Sequence, residues 1–134
     1  RFGLELAEQR FGLDAARRIE EQRTEHTERM AAIFDEVDLV ISATTPDVAF
    51  GATGPLPSAV DGVDVPMGNN GALTIPANFY GNPSISTPIG TIDGLPVGMQ
   101  VMARHRREDL LLDLAHVVER ERPWPLTAPP ARRR

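Results

Sequence analysis

Four serines, Ser42, Ser58, Ser84 and Ser86, and three histidines, His26, His105 and His116, are the first side chains to weigh for catalysis. A hydrolytic serine needs a base within hydrogen-bond reach and donors for the developing oxyanion. None of the four sits in a Gly-x-Ser-x-Gly elbow, the turn that exposes a nucleophile above a parallel sheet. Ser84 and Ser86 alternate around Ile85 in a strand-like run, which predicts hydroxyls bonded within a sheet. His105 lies among Arg104, Arg106 and Arg107 and reads as surface.

Metal and phosphate chemistry find less support. His105 with Glu108 supplies two ligands where a catalytic zinc takes three, and His26 and His116 stand alone on predicted helices. No metal site is expected. Gly68-Asn69-Asn70-Gly71 has neither the Lys-Ser/Thr of a phosphate-binding loop nor the glycine spacing of a dinucleotide fingerprint, so it predicts a turn. The acidic pairs Glu20-Glu21, Asp35-Glu36 and Glu108-Asp109 fall in or beside helices, where solvated faces and caps account for them.

Composition bounds the setting. The 134 residues, 41% hydrophobic, can bury one core and do not require two domains. The formal net charge of −5 argues against nucleic acid as a partner, since that affinity comes from Arg and Lys against phosphate. The local basic clusters, Arg104-His105-Arg106-Arg107 and Arg132-Arg133-Arg134, read as solvated surface. No run approaches the roughly 20 apolar residues of a membrane span, so no membrane association is expected. The absence of cysteine rules out disulfides and thiol nucleophiles, and a cytoplasmic location is the expectation. The chain opens on Arg1-Phe2-Gly3, without an initiator methionine, and runs straight into helix-like sequence; it reads as a piece of a longer domain.

The elements that would position any site follow from periodicity. A polar, Pro- and Gly-free stretch with Glu25 four residues before Arg29 predicts a helix over 14–34, anchored at its ends by Ile19, Met30, Ile33 and Phe34. Val37 to Ala43 is rich in β-branched residues, with Leu39, Val40 and Ile41 apolar in succession, and predicts a strand with both faces covered, stopped by Thr44-Thr45-Pro46-Asp47. Loops beyond such strand ends are where α/β sheets place ligands. A long ordered loop is expected over 44–83, rich in Gly and Pro. Asp93-Gly94 predicts a tight antiparallel hairpin over 85–103, with Pro88 and Pro96 at a bulge, an edge or a strand start. A helix is predicted over 108–121, ended by Pro123, then a tail over 122–134 anchored by Trp124.

Two segments carry a family resemblance: Asn78-Phe79-Tyr80-Gly81-Asn82-Pro83-Ser84-Ile85-Ser86-Thr87-Pro88-Ile89-Gly90 and Gly94-Leu95-Pro96-Val97-Gly98-Met99-Gln100-Val101. In order and spacing they resemble the carboxy-terminal portion of amidase-signature enzymes. The strand ending in Thr44-Thr45-Pro46, the helix with Glu108 and Leu110-Leu111, and Pro123-Trp124 extend the likeness over roughly residues 30–126.

The resemblance implies the C-terminal part of an α/β/α fold with a mixed sheet flanked by helices, the whole of residues 1–134 being a fragment of one amidase domain. It implies hydrolysis of a carboxylic amide to acid and ammonia or amine through a serine acyl-enzyme, with no cofactor. The Lys, Ser, Ser triad of such enzymes belongs to an earlier Gly- and Ser-rich segment, with its lysine earlier still, and neither has a counterpart here, so no catalytic residue is assigned and the chain alone is expected to be inactive. By the same resemblance Thr44, Thr45, Pro46, Asn78 and Phe79 are candidate substrate-binding residues near the acyl pocket. The expected partners are a small-molecule amide and the remainder of the amidase domain, and a homodimer is left open. A glutamine amidotransferase component that serves misacylated tRNA, and a non-catalytic scaffold or interaction module, are the alternatives.

Overall fold

A computed structural model of the chain describes residues 12–66, 69–125 and 127. The chain divides after Val37 into two compact units. The first contains helix α1, Leu13–Glu36, with Phe34 as its buried residue. Arg17 pairs with Glu21, and Arg29 Nη2 reaches Glu25 Oε1 at 2.6 Å, the i,i+4 pairing expected of that spacing. All four side chains are more than half exposed, so each pair contributes about 0.3–0.5 kcal/mol at most.

The second unit is built on a three-stranded antiparallel sheet. Its strands are β1 (Leu39–Ala43), β4 (Ser84–Ile92) and β5 (Leu95–Ala103), in the order β1-β5-β4. Between β1 and β4 lie β2 (Ala59–Val60) and β3 (Val63–Asp64), a 3-10 turn (Asn69–Gly71) and helix α2 (Ile75–Tyr80); helix α3 (Glu108–Glu121) follows β5.

Asp93 and Gly94 carry φ of 51° and 78°, the paired left-handed conformation of a type I′ turn, whose twist matches that of the strands it joins. The register from β4 to β5 slips between Pro88 and Gly90, so Pro88 lies at a bulge on an edge strand where its missing N–H costs no ladder bond. Pro96 sits one residue into β5, outside the stretch that pairs with β1.

Alternation along β5 divides the sheet into two faces. Val101, Ala103 and Leu111 of α3 form the core, with Leu39, Ile85, Met99 and Leu114 packed against it. α3 therefore covers one face, and its apolar positions recur at helical spacing because they meet that face. The other face carries Gln100 opposite Ser42 and Ser86, and Gly98 opposite Pro88.

Two expectations are corrected. β1 does not have both faces covered: Ile41 shares the face of Val101 but is 60% exposed, because α3 lies over β4 and β5 and β1 is an edge strand. Residues 44–83 are not one loop. They contain the β2/β3 hairpin, turned at Asp61 and Gly62 with φ of 50° and 74°, and helix α2, which has Pro76 in its first turn and ends at Gly81 with φ of 74°. Both elements obey ordinary turn and cap chemistry but are too short to show a period. Trp124 is half-buried; Leu126 and residues 128–134, including the terminal arginines, lie outside the described residues, as does Gly68.

Candidate functional site

Where β1 ends, Thr44 turns its hydroxyl onto the face opposite α3. The main-chain N–H of Thr44 donates to Gly98 O at 2.9 Å, which extends the β1–β5 ladder by one step. Thr44 Oγ1 and Ser86 Oγ share a hydrogen bond of 2.6 Å across the central strand. Ser86 is thus bonded within the sheet, as its alternation with Ser84 predicts.

Gly98 makes this approach feasible. A Cβ on Gly98 would stand 2.7 Å from Thr44 Oγ1, 3.0 Å from Ser86 Oγ and 3.3 Å from Thr44 Cβ. The first of these is well inside van der Waals contact and the other two are tight, so a side chain at 98 would force the Thr44 hydroxyl to shift and crowd that of Ser86.

Thr44, Ser86 and Gly98 form one side of a cavity of about 420 Å³, a size suited to a small organic molecule. Thr45 and Pro46 line it as well, and the chain beyond them curls round it: Thr45 Oγ1 donates to Asp47 O at 2.8 Å, and the N–H of Val48 donates to Asp47 Oδ1 at 2.7 Å. Phe50, Pro57, Val60 of β2 and Val65 supply apolar wall, Asn69 and Asn70 a polar stretch, and Pro96 and Val97 of β5 the remainder. The described residues of the Gly- and Pro-rich segment thus supply much of the cavity wall that faces the sheet.

The remaining candidates sit elsewhere. Asn78 and Phe79 are exposed residues of α2 and do not line the cavity. Asn78 Nδ2 donates to Thr74 O at 3.4 Å, and the Phe79 ring meets Tyr80 edge-on at 6.0 Å between centroids. Three of the five candidates are therefore brought together, at the strand end singled out from sequence. Ser86, Gly98 and Phe50 join them without having been singled out for binding; the signal present for Gly98 was a glycine inside a strand, which marks close approach of another group.

Gln100 and Asn82 tie neighbouring segments to the central strand. Gln100 Nε2 donates to Leu73 O at 2.6 Å, and Asn82 Nδ2 to Ala103 O at 2.9 Å, fastening the segments before and after α2 to β5. Among the described residues no group of three His, Asp or Glu side chains is placed to hold a metal ion, and no helix is long and apolar enough to cross a membrane.

Comparison with known proteins gives this geometry a family. The Amidase family model matches residues 4–112. The A-type chain of glutamyl-tRNA(Gln) amidotransferase from Salinispora arenicola is 41% identical over 99 residues, 72% of this chain and 19% of that protein. Its counterpart from Listeria monocytogenes serotype 4a is 33% identical over 105 residues, 78% of this chain and 21% of that protein. The fold is similar to that of a bacterial aryl acylamidase of the amidase-signature family, with a TM-score of 0.77 and 28% identity over 88% of this chain and 25% of the other. It is also similar to 6-aminohexanoate cyclic dimer hydrolase, with a TM-score of 0.71 and 27% identity over 87% of this chain and 26% of the other. The chain spans about a fifth of the length of the curated relatives it matches. With a matching family model over most of its length and the corresponding fold, the chain belongs to the Amidase family.

Proposed function

We propose that this chain is the C-terminal part of an enzyme that hydrolyses a small carboxylic amide, and that the cavity beyond β1 forms a wall of the pocket for the acyl group. The observation that carries this is the convergence of Thr44, Thr45 and Pro46, the strand-end residues marked by family resemblance, on a cavity of small-molecule size. Nucleophile and base belong to the remainder of the domain, so this chain contributes binding surface and scaffold without turnover. The chemistry needs no metal or organic cofactor.

The test uses the complete protein whose coding frame contains this chain. Ammonia release from benzamide, abolished when the upstream serine nucleophile is replaced by alanine, supports the reading; no release from any simple amide overturns it. A second reading is favoured by the amidotransferase chains among the relatives at 33–41% identity. Under it the complete protein would release ammonia from glutamine and leave benzamide untouched.

A further inference from the structure

The lining of the cavity is chemically one-sided. Phe50, Pro57, Val60, Val65 and Val97 make its walls apolar, and the one charged side chain among the described residues that line it is Asp47, with no Arg or His there to oppose it. Asp47 Oδ1 already accepts from the N–H of Val48 at 2.7 Å. A carboxylate entering this space would leave water for apolar walls, meet no cation among the described lining residues and face a like charge, each of which disfavours it. An apolar, uncharged body meets none of these penalties and gains from leaving water.

The hydroxyl pair adds one specific polar point. Two hydroxyls carry two protons, and the 2.6 Å bond between Thr44 Oγ1 and Ser86 Oγ uses one. The other proton and the unused lone pairs remain for a ligand. The pair is therefore matched to a neutral group that both accepts and donates, such as a hydroxyl or a carboxamide. Because a Cβ at position 98 would stand 2.7 Å from one member and 3.0 Å from the other, a side chain there would push the pair out of this arrangement.

We propose that the cavity selects an apolar, non-anionic acyl group carrying one neutral polar substituent, held by the Thr44–Ser86 hydroxyl pair, with Gly98 as the positioning residue that lets the pair form. For turnover this rests on the amidase reading above; for ligand binding it stands on the cavity alone.

The experiment titrates the isotope-labelled complete protein with three para-substituted amides: benzamide, 4-hydroxybenzamide and 4-carboxybenzamide. The expected result is binding of 4-hydroxybenzamide about fivefold tighter than benzamide, the gain of one neutral hydrogen bond. Amide shifts should move at Thr44, Ser86 and Gly98, and 4-carboxybenzamide should bind at least about tenfold more weakly than benzamide. In Gly98→Ala, and independently in Ser86→Ala should the glycine variant fail to fold, the advantage of the hydroxyl should fall to within about twofold. Binding of the carboxylate as tightly as benzamide, a hydroxyl advantage that survives Ser86→Ala, or no binding of any of the three overturns the proposal. Ammonia release from the same amides separates the two claims. Release with a preference for the anionic amide sinks the selectivity and keeps the amidase, whereas the expected binding order without release sinks the amidase and keeps the selectivity.

Discussion

Gln100 and Leu73 are joined by a 2.6 Å hydrogen bond from a side chain on the central strand to a main-chain oxygen 27 residues earlier. Gln100 is buried, at 4% exposure, so its amide is committed to that carbonyl. Replacing it by Leu keeps the bulk and leaves the Leu73 oxygen without this donor, at a cost of about 1–3 kcal/mol. Chemical denaturation should show that loss, and proteolysis should reach the segment before α2 sooner in Gln100→Leu than in the parent.

Thr87 predicts the opposite sign. Its side chain is buried and Oγ1 finds no hydrogen-bond partner. Thr87→Val exchanges that hydroxyl for a methyl of similar size. Removing an unsatisfied buried group should leave stability unchanged or raise it by up to about 1 kcal/mol, read as an equal or higher Tm.

Leu111 is the side chain by which α3 enters the core beside Val101 and Ala103. Leu111→Ala should cost about 2–5 kcal/mol, the range for a buried leucine replaced with partial collapse of the cavity. Leu112, one residue on and 63% exposed, provides the control. Leu112→Ala should move the denaturation midpoint far less.

The start of α3 carries a pH dependence. The hydrogen bond from Arg107 Nε to Asp109 Oδ1 at 3.1 Å, and after it one from the Leu110 N–H, hold the Asp109 carboxyl below the ordinary aspartate value. A carboxyl depressed in the folded state stabilises the fold above its unfolded pKa, and that contribution is lost as pH falls through the folded value. Asp109→Asn should therefore melt lower than the parent at neutral pH, and the gap should close on acidification below about pH 4. A gap that stays constant down to about pH 2 would contradict the assignment.

The sequence was most legible where one local rule acted alone. Helix α3 occupies Glu108–Glu121, as its leucine spacing and acidic start require, and the β4–β5 hairpin turns at Asp93-Gly94. The same Asp-Gly chemistry at Asp61-Gly62 went unread, because strands of two residues offer no alternation to flank it. In the site, Thr44 to Pro46 border the cavity because a strand end is a fixed address in such a sheet. Asn78 and Phe79 lie on a short helix, which can turn a residue toward or away from a neighbouring cavity, and resemblance does not say which. The partnership of Thr44, Ser86 and Gly98 joins positions 42 and 12 residues apart, and only the register of three strands brings them together.

That register sets two timescales on one strand. β5 pairs with β1 from Met99 to Ala103, and Gly98 O accepts the last cross-strand bond on that side, whereas Leu95 to Val97 pair with β4 alone. Pro96 contributes no amide hydrogen. Protection against solvent deuterium should thus rise along β5, with the amides between β1 and β4 opening only as the core opens and that of Val97 trading its hydrogen early. The end of the strand that borders the cavity can then adjust to a ligand while the end that carries the core stays closed.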